Sequence, residues 1–219
     1  FRSLGKTMRN KDFLCYLVPY LGVWFGINTL TIAMPYISEI LLGMSPESSG
    51  YLVGGAFVVA ILFSPFLPKI TVRFGKKRVA LTAYVSFGII LMCIGLFGTL
   101  LNGIAAYIII FLAGIPLSAA LVVPNAMVAD IAELDGLRSG HKREGMFFGV
   151  QGLVNKLVIG LSSFVTPILF HVFGSTPTSP LGLQLSGPIA GASVIVCSLV
   201  LRGYSIPEDE IESVESKDR

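Results

Sequence analysis

Six long apolar stretches, separated by short polar clusters, constrain this chain more than any other feature. They run over residues 13–41, 49–71, 79–100, 104–129, 145–172 and 183–203, and we call them the first to sixth spans. At about 1.5 Å rise per helical residue, each can cross a hydrocarbon core of about 30 Å. Soluble domains carry about 25% charged residues, whereas this chain of 219 residues carries 13%. The sequence therefore predicts an all-α membrane protein with six transmembrane helices.

The basic residues are divided unevenly between the two ends of the spans. Fifteen of the sixteen lie before the first span, around the turn between the second and third, between the fourth and fifth, or after the sixth. The connections 42–48, 101–103 and 173–182 contain none. By the positive-inside rule, both termini face the cytoplasm. We thus predict a cytoplasmic linker at 1–12, a multi-pass domain at 13–203 in a plasma or inner membrane, and an acidic cytoplasmic tail at 204–219.

The sixteenth basic residue, Lys156, lies inside the fifth span. It follows Gly145 by eleven residues, about 16 Å along a helix axis, so it is expected near the bilayer midplane. A lysine at that depth costs roughly 2.5–3.5 kcal/mol and needs water or an acid beside it. The acids nearest the spans, Glu39 and Asp130, are not at mid-depth. We therefore expect the counter-charge on another segment and the chain to be half of a larger protein.

Helical spacing places Lys156 among small and polar residues. It shares one stripe with glycines and a serine, and a polar stripe runs alongside: Gly145, Gly149, Gly152, Gly160 and Ser163 in the first, Gln151, Asn155, Ser162 and Thr166 in the second. A packing seam of small residues explains the glycines but not the lysine. Polar side chains in a membrane turn toward a cavity or a neighbouring helix. The candidates for a substrate or cation pathway are Lys156, Gln151, Asn155, Trp24, Asn28 and Asn125.

A charged cluster follows the fourth span. Its members Asp130, Glu133, Lys142 and Arg143 can form ion pairs that close the cytoplasmic side, although a solvated charged loop explains them as well. The acids also resemble one magnesium–diphosphate motif of membrane prenyltransferases. Such enzymes need two motifs, so the sequence does not favour an enzyme. The cysteines lack metal-site spacing, and no metal or cofactor is expected.

Two motifs resemble those of a known family. The basic turn Arg73-Phe-Gly-Lys76-Lys77-Arg78 between spans is similar to turns of the major facilitator superfamily, although a lipid-headgroup contact or an orientation signal also explains it. The longer pattern is more specific: Pro124-Asn-Ala-Met127-Val-Ala-Asp130, then Gly140-His-Lys142-Arg143-Glu144-Gly145, Gln151 and Lys156. It resembles the glycoside–pentoside–hexuronide:cation symporters over essentially the whole chain. The resemblance implies the C-terminal half of a twelve-helix bundle.

The resemblance also implies functions for single residues. Lys156 matches the lysine that reaches toward acids of the coupling-cation site in the N-terminal half, and Gln151 matches a position beside the sugar site. Asp130, Glu133 and Lys142 or Arg143 match the charged loop that locks the cytoplasmic side. The position of a sugar-stacking tryptophan in melibiose permeases corresponds to Leu121 here.

The expected function is accordingly a cation-coupled solute symporter that works by alternating access. Its substrate is a sugar or, as the alternative within transporters, a lysophospholipid or other amphiphile, and Na⁺ or H⁺ is bound mainly by the other half. The expected partners are the N-terminal six-helix half, membrane lipid and a small molecule, but not nucleic acid. A non-transporting membrane scaffold or receptor fragment remains the alternative of another class.

Overall fold

The computed structural model describes residues 7–8, 10–45, 47–101, 103–139 and 144–205. Throughout these residues the chain is helical, apart from short turns. From the N-terminus, the six spans are Lys11–Leu41, Ser48–Phe74, Lys76–Leu96, Ile104–Leu137, Glu144–Phe173 and Leu181–Gly203. All six are long and apolar enough to cross a membrane. The prediction of an all-α protein with six spans is therefore confirmed.

Local sequence explains where several of these helices begin and end. The side-chain oxygen of Asn10 accepts a hydrogen bond from the backbone N–H of Phe13 at 3.1 Å and caps the first span. Gly75 has φ of 84°, a left-handed conformation that separates the second span from the third. The first span ends in a π-helical turn, Ile37–Leu41. The second is interrupted by a 3₁₀ turn at Ser64–Phe66, where a proline removes a backbone donor.

The fourth span is longer than the sequence predicted. The helix does not end at 129 but continues from Ile104 to Ser139, so Asp130 and Glu133 lie on a helix rather than in a loop. Apolar residues explain the extension, because Ile131 and Leu134 are both buried against the bundle. Because Asp130, Glu133 and Asp135 interrupt the apolar run, a prediction from hydropathy alone ends this helix too early.

The first, third, fourth and sixth spans form the packed centre of the bundle. The third and sixth spans approach each other through glycines. A methyl group on Gly88 would lie 2.9 Å from the carbonyl oxygen of Gly191, and one on Gly187 would lie 2.5 Å from that of Leu91. Glycine is required here because the two backbones leave no room for a side chain.

The second and fifth spans pack on the outside of this centre. The second lies against the fourth, and the fifth lies mainly against the first. Only 22% and 17% of their most apolar stretches are buried, against 39–56% in the other four. Large side chains such as Tyr51, Leu157 and Phe164 are more than half exposed. The second and fifth spans thus each leave much of their apolar surface uncovered.

Candidate functional site

Lys156 lies on the open face of the fifth span. This helix runs without interruption from Glu144 to Phe173, so Lys156 is about 18 Å from its start in a helix about 45 Å long. Its side chain is exposed. Within the described residues, the one ion pair joins two other side chains, and no carboxylate lies within ion-pair distance of Lys156. The ammonium group therefore faces away from the five other helices.

The glycines on the same stripe make this face nearly flat. Methyl groups built on Gly145, Gly149, Gly152 and Gly160 would meet no described atom within 4 Å. Glycines in a helix interior cost roughly 0.5–1 kcal/mol each relative to alanine, and here no contact with a described residue offsets that cost. The surface around Lys156 is therefore shaped to let another backbone, water or a ligand come close.

The second polar stripe of the fifth span faces the first span. Ser162 and Thr166 are buried there, and Gln151 is 6% exposed. The two helices run parallel, because three contacts along their length keep one register of 134 positions. The rings of Phe13 and Phe147 are 5.1 Å apart, Asn28 reaches Ser162, and the rings of Tyr36 and Phe170 are 5.5 Å apart. With this register, Asn155 and Lys156 lie less than one helical turn from Trp24, toward the N-terminal ends of the two helices.

Asn28 makes the strongest polar contact between the two helices. Its side-chain N–H groups donate to Ser162 Oγ at 2.5 Å, to the carbonyl oxygen of Ile159 at 3.1 Å and to Ser163 Oγ at 3.3 Å. One position further, Thr166 Oγ1 donates to Thr29 Oγ1 at 3.4 Å. The C-terminal half of the interface between the first and fifth spans is thus joined by side-chain hydrogen bonds.

The N-terminal half of the same interface contains oxygens without a hydrogen-bond partner among the described residues. Gln151 Oε1 and Asn155 Oδ1 are buried without a hydrogen-bond partner among the described residues. They are four residues apart and therefore lie on one face of the helix. Leaving such an acceptor unsatisfied costs roughly 1–3 kcal/mol. Both oxygens can accept a hydrogen bond from any donor that a rearrangement of the interface brings to them.

Trp24 provides an aromatic surface near this level. It lies four residues before Asn28 on one face of the first span and is partly exposed. Its ring packs edge-on against Tyr20 with centroids 6.2 Å apart, and Tyr20 stacks on Tyr16 at 5.8 Å. Asn125 stands apart from this group. It is exposed on the fourth span and donates to the carbonyl oxygen of Leu121 at 3.1 Å, within its own helix.

The predicted cytoplasmic cluster is only partly described. Asp130 accepts a hydrogen bond and ion pair from Lys76 at 2.6 Å, with side chains 13% and 33% exposed. Glu133 is exposed, and Lys142 and Arg143 lie outside the described residues. Sequence reasoning did not connect Lys76 with Asp130, because their pairing depends on the third and fourth spans being neighbours. The pair ties the basic turn to the end of the fourth span.

A second contact at this end of the bundle was also missed. Lys77 Nζ donates to the carbonyl oxygens of Arg202 at 2.9 Å and Tyr204 at 2.5 Å, at the end of the sixth span. The backbone N–H and hydroxyl of Ser205 donate to Asp12 Oδ1 at 2.8 and 2.9 Å. The end of the sixth span is therefore fastened both to the basic turn and to the start of the first span.

Comparison with known proteins agrees with this architecture. Residues 1–200 match the family described as MFS/sugar transport protein, which confirms the resemblance seen in the sequence. The chain is 25% identical to the uncharacterized symporter sll1374 of Synechocystis over 84% of its own length and 34% of that protein. It is 27% identical to the lactose permease of Lactobacillus delbrueckii subsp. bulgaricus over 80% of its length and 28% of the permease.

A third relative, the uncharacterized symporter YjmB of Bacillus subtilis, is 27% identical over 81% of this chain and 38% of that protein. The chain thus spans about a third of the length of these curated relatives. All three are named as symporters or permeases, which are transporters rather than enzymes.

Proposed function

We infer that this chain, which belongs to the MFS/sugar transport protein family, forms one six-helix half of a cation-coupled solute symporter. The proposed substrate is a sugar or glycoside, and the proposed coupling ion is Na⁺ or H⁺. The second half would cover the open surface of the second and fifth spans. Alternating access then follows from movement of the two halves around a site between them.

The observation that carries this proposal is the exposed ammonium of Lys156 in the middle of a membrane span. Burying it without a partner is unfavourable, so a stable protein would bring carboxylates of the other half to it. A coupling cation and Lys156 would then compete for the same carboxylates. Such competition links cation binding to the position of the fifth span.

The side chains next to Lys156 support a hydroxyl-rich substrate. The unpaired oxygens of Gln151 and Asn155 accept hydrogen bonds, and the ring of Trp24 offers an apolar face on which a sugar can pack. The relative named as a lactose permease points to the same class of substrate. At the cytoplasmic end, the Lys76–Asp130 pair would help to keep the inner ends of the third and fourth spans together while the outer side is open.

One experiment tests the proposal directly. The full-length transporter is reconstituted in liposomes, and uptake is measured over a panel of sugars with a Na⁺ or a proton gradient. We expect Lys156→Ala to abolish gradient-driven uptake, while membrane insertion remains intact because the substitution removes an unfavourable charge. Lys156→Arg should restore little, because a planar guanidinium does not replace a compact ammonium. Unchanged cation dependence in Lys156→Ala would refute the coupling assignment.

An amphiphile such as a lysophospholipid is the second candidate substrate. A cavity of about 30 Å³ between the first four spans is lined almost wholly by apolar side chains, including Leu30, Phe57 and Leu117. Its lining would suit an acyl chain better than a sugar, and the spans would have to separate to admit one. The same liposome assay with lysophosphatidylcholine decides between the two. Absence of any gradient-driven uptake would instead favour the non-transporting scaffold.

A further inference from the structure

The fifth span depends on few polar contacts for its orientation. Most of its surface is exposed, and its side-chain hydrogen bonds to other described helices all involve Asn28 or Thr29 of the first span. Ring contacts such as that of Phe13 with Phe147 help to set the register of this helix, but apolar attraction has little directional preference and restrains rotation less than hydrogen bonds do. Directional hydrogen bonds are what select one rotation.

Asn28 has the geometry that this selection requires. Its acceptors Ile159 and Ser163 follow Lys156 by three and seven residues, and thus lie along the side of the helix from which Lys156 projects. Ser162 lies on the buried side. The side-chain amide of Asn28 therefore contacts the fifth span at the boundary between its open face and its packed face, with acceptors on both.

The direction of the Asn28 amide follows from its partners. The carbonyl oxygen of Ile159 can only accept a hydrogen bond, and Ser162 already uses its hydroxyl proton to donate to that same carbonyl at 2.9 Å. The nitrogen of Asn28 must therefore point at the fifth span. Its N–H groups are occupied by the neighbouring helix.

We propose that Asn28 is a positioning residue that fixes the rotation of the fifth span and so holds Lys156 on the open face, toward the site of cation coupling. The part that concerns coupling rests on the proposed function, whereas the part that concerns rotation does not. Asn28 acts through Lys156 in this proposal. It replaces the expectation from the sequence that Asn28 itself lines the substrate pathway.

Thiol labelling tests the rotation in the full-length protein, with its native cysteines replaced. Single cysteines are placed at Gly152, on the open face, and at Val150, which is 3% exposed on the packed face. We expect faster labelling at 152, which in the proposed transporter faces the water-filled pathway between the two halves, than at 150. Asn28→Leu, which keeps the branching and the number of heavy atoms but removes the donors, should lower this ratio of rates roughly three- to tenfold, the equivalent of one interhelical hydrogen bond in a membrane.

A reciprocal exchange gives the second measurement. Asn28→Ser combined with Ser162→Asn conserves the total volume and places the amide on the other helix, so it should restore the labelling ratio and the cation concentration for half-maximal uptake. Ser193→Ala is the control, because Ser193 of the sixth span donates only to Ile189 of its own helix at 2.8 Å and should change neither quantity.

The outcomes separate the two hypotheses. An unchanged labelling ratio in Asn28→Leu overturns the positioning hypothesis, and so does a loss of substrate binding with an unchanged ratio, because Asn28 would then be a direct ligand. A lowered ratio together with normal coupling in Lys156→Ala supports the positioning of the helix but refutes the proposed function. If Asn28→Leu does not reach the membrane, the reciprocal exchange alone decides: failure to restore the ratio then counts against the proposal.

Discussion

Glycines of the fifth and sixth spans follow similar spacings and have opposite environments. In the sixth span, Gly187 and Gly191 are four residues apart and press against the backbone of the third span. In the fifth, Gly145, Gly149 and Gly152 are as regularly spaced and meet no described atom. The first pattern is a packing seam completed within the chain. The second meets no partner among the described residues, and it is the main physical support for the second half that we propose.

The largest effect should come from adding a side chain at Gly187 or Gly191, in the glycine seam between the third and sixth spans, which we call the closed seam. A side chain at Gly191 would collide with the carbonyl oxygen of Gly88, and backbone atoms cannot move aside as a flexible side chain can. We expect Gly191→Leu to destabilise the bundle by about 3 kcal/mol or more. The measurement is the thermal midpoint of the detergent-solubilised full-length protein. A midpoint within one or two degrees of the parent would show that the third and sixth spans do not pack as described.

Adding a side chain at Gly145, Gly149 or Gly152, on the exposed face of the fifth span that we call the open seam, should instead affect transport. A Cβ at Gly152 meets none of the described atoms within 4 Å, so the six helices of Gly152→Leu should fold normally. If another half approaches this face, the added side chain should reduce uptake roughly tenfold or more, since each 1.4 kcal/mol lost from closure is a factor of ten. Uptake and thermal midpoint are measured on the same preparation. Normal uptake would show that nothing packs closely against this face.

An intermediate effect is expected at the cytoplasmic end. Lys76→Asp breaks the pair with Asp130 and places two acids together, which should lower stability by about 1–3 kcal/mol and slow uptake. The double variant Lys76→Asp with Asp130→Lys should recover most of both. Lys77→Ala offers a comparison, because Lys77 caps the end of the sixth span instead. No recovery in the double variant would mean that the pair acts through other partners.

These contrasts show which parts of the molecule can be predicted from sequence. The six spans follow from length and hydropathy, and the open stripe around Lys156 follows from helical spacing. The pairing of Lys76 with Asp130 and of Asn28 with Ser162 cannot be read from the chain, because each joins helices whose adjacency is a tertiary property. The same limit applies to the glycines, since a four-residue spacing occurs both in the closed seam of the sixth span and in the open seam of the fifth.

The extended fourth span illustrates a different limit. Hydropathy ends it at 129, yet Ile131 and Leu134 continue a buried stripe through the charged residues. A helical periodicity search beyond the apolar run would have found the extension. For Trp24 and Asn125, the sequence indicated polar or aromatic residues inside spans, but only the structure separates a side chain packed on its neighbours from one bonded to its own helix.

The smallest expected effect concerns the unpaired oxygen of Asn155. In the fifth span this acceptor is buried without a donor from the part of the chain that the structure describes, whereas the amide of Asn125 donates to its own helix on an exposed surface. Replacing Asn155 by leucine removes the unsatisfied group, so we expect a gain of about 1 kcal/mol in the free energy of unfolding. The same change at Asn125 removes no unsatisfied acceptor and should give no such gain.

If Asn155 accepts a substrate hydroxyl, the stabilised variant should also bind substrate several-fold more weakly, because a neutral hydrogen bond contributes about 0.5–1.5 kcal/mol. Stability gained together with affinity lost is the behaviour of a site kept unsatisfied for its ligand. Thermal midpoints and substrate titrations on Asn155→Leu and Asn125→Leu measure both quantities. A loss of stability in Asn155→Leu would show that the oxygen is already paired in the full-length protein.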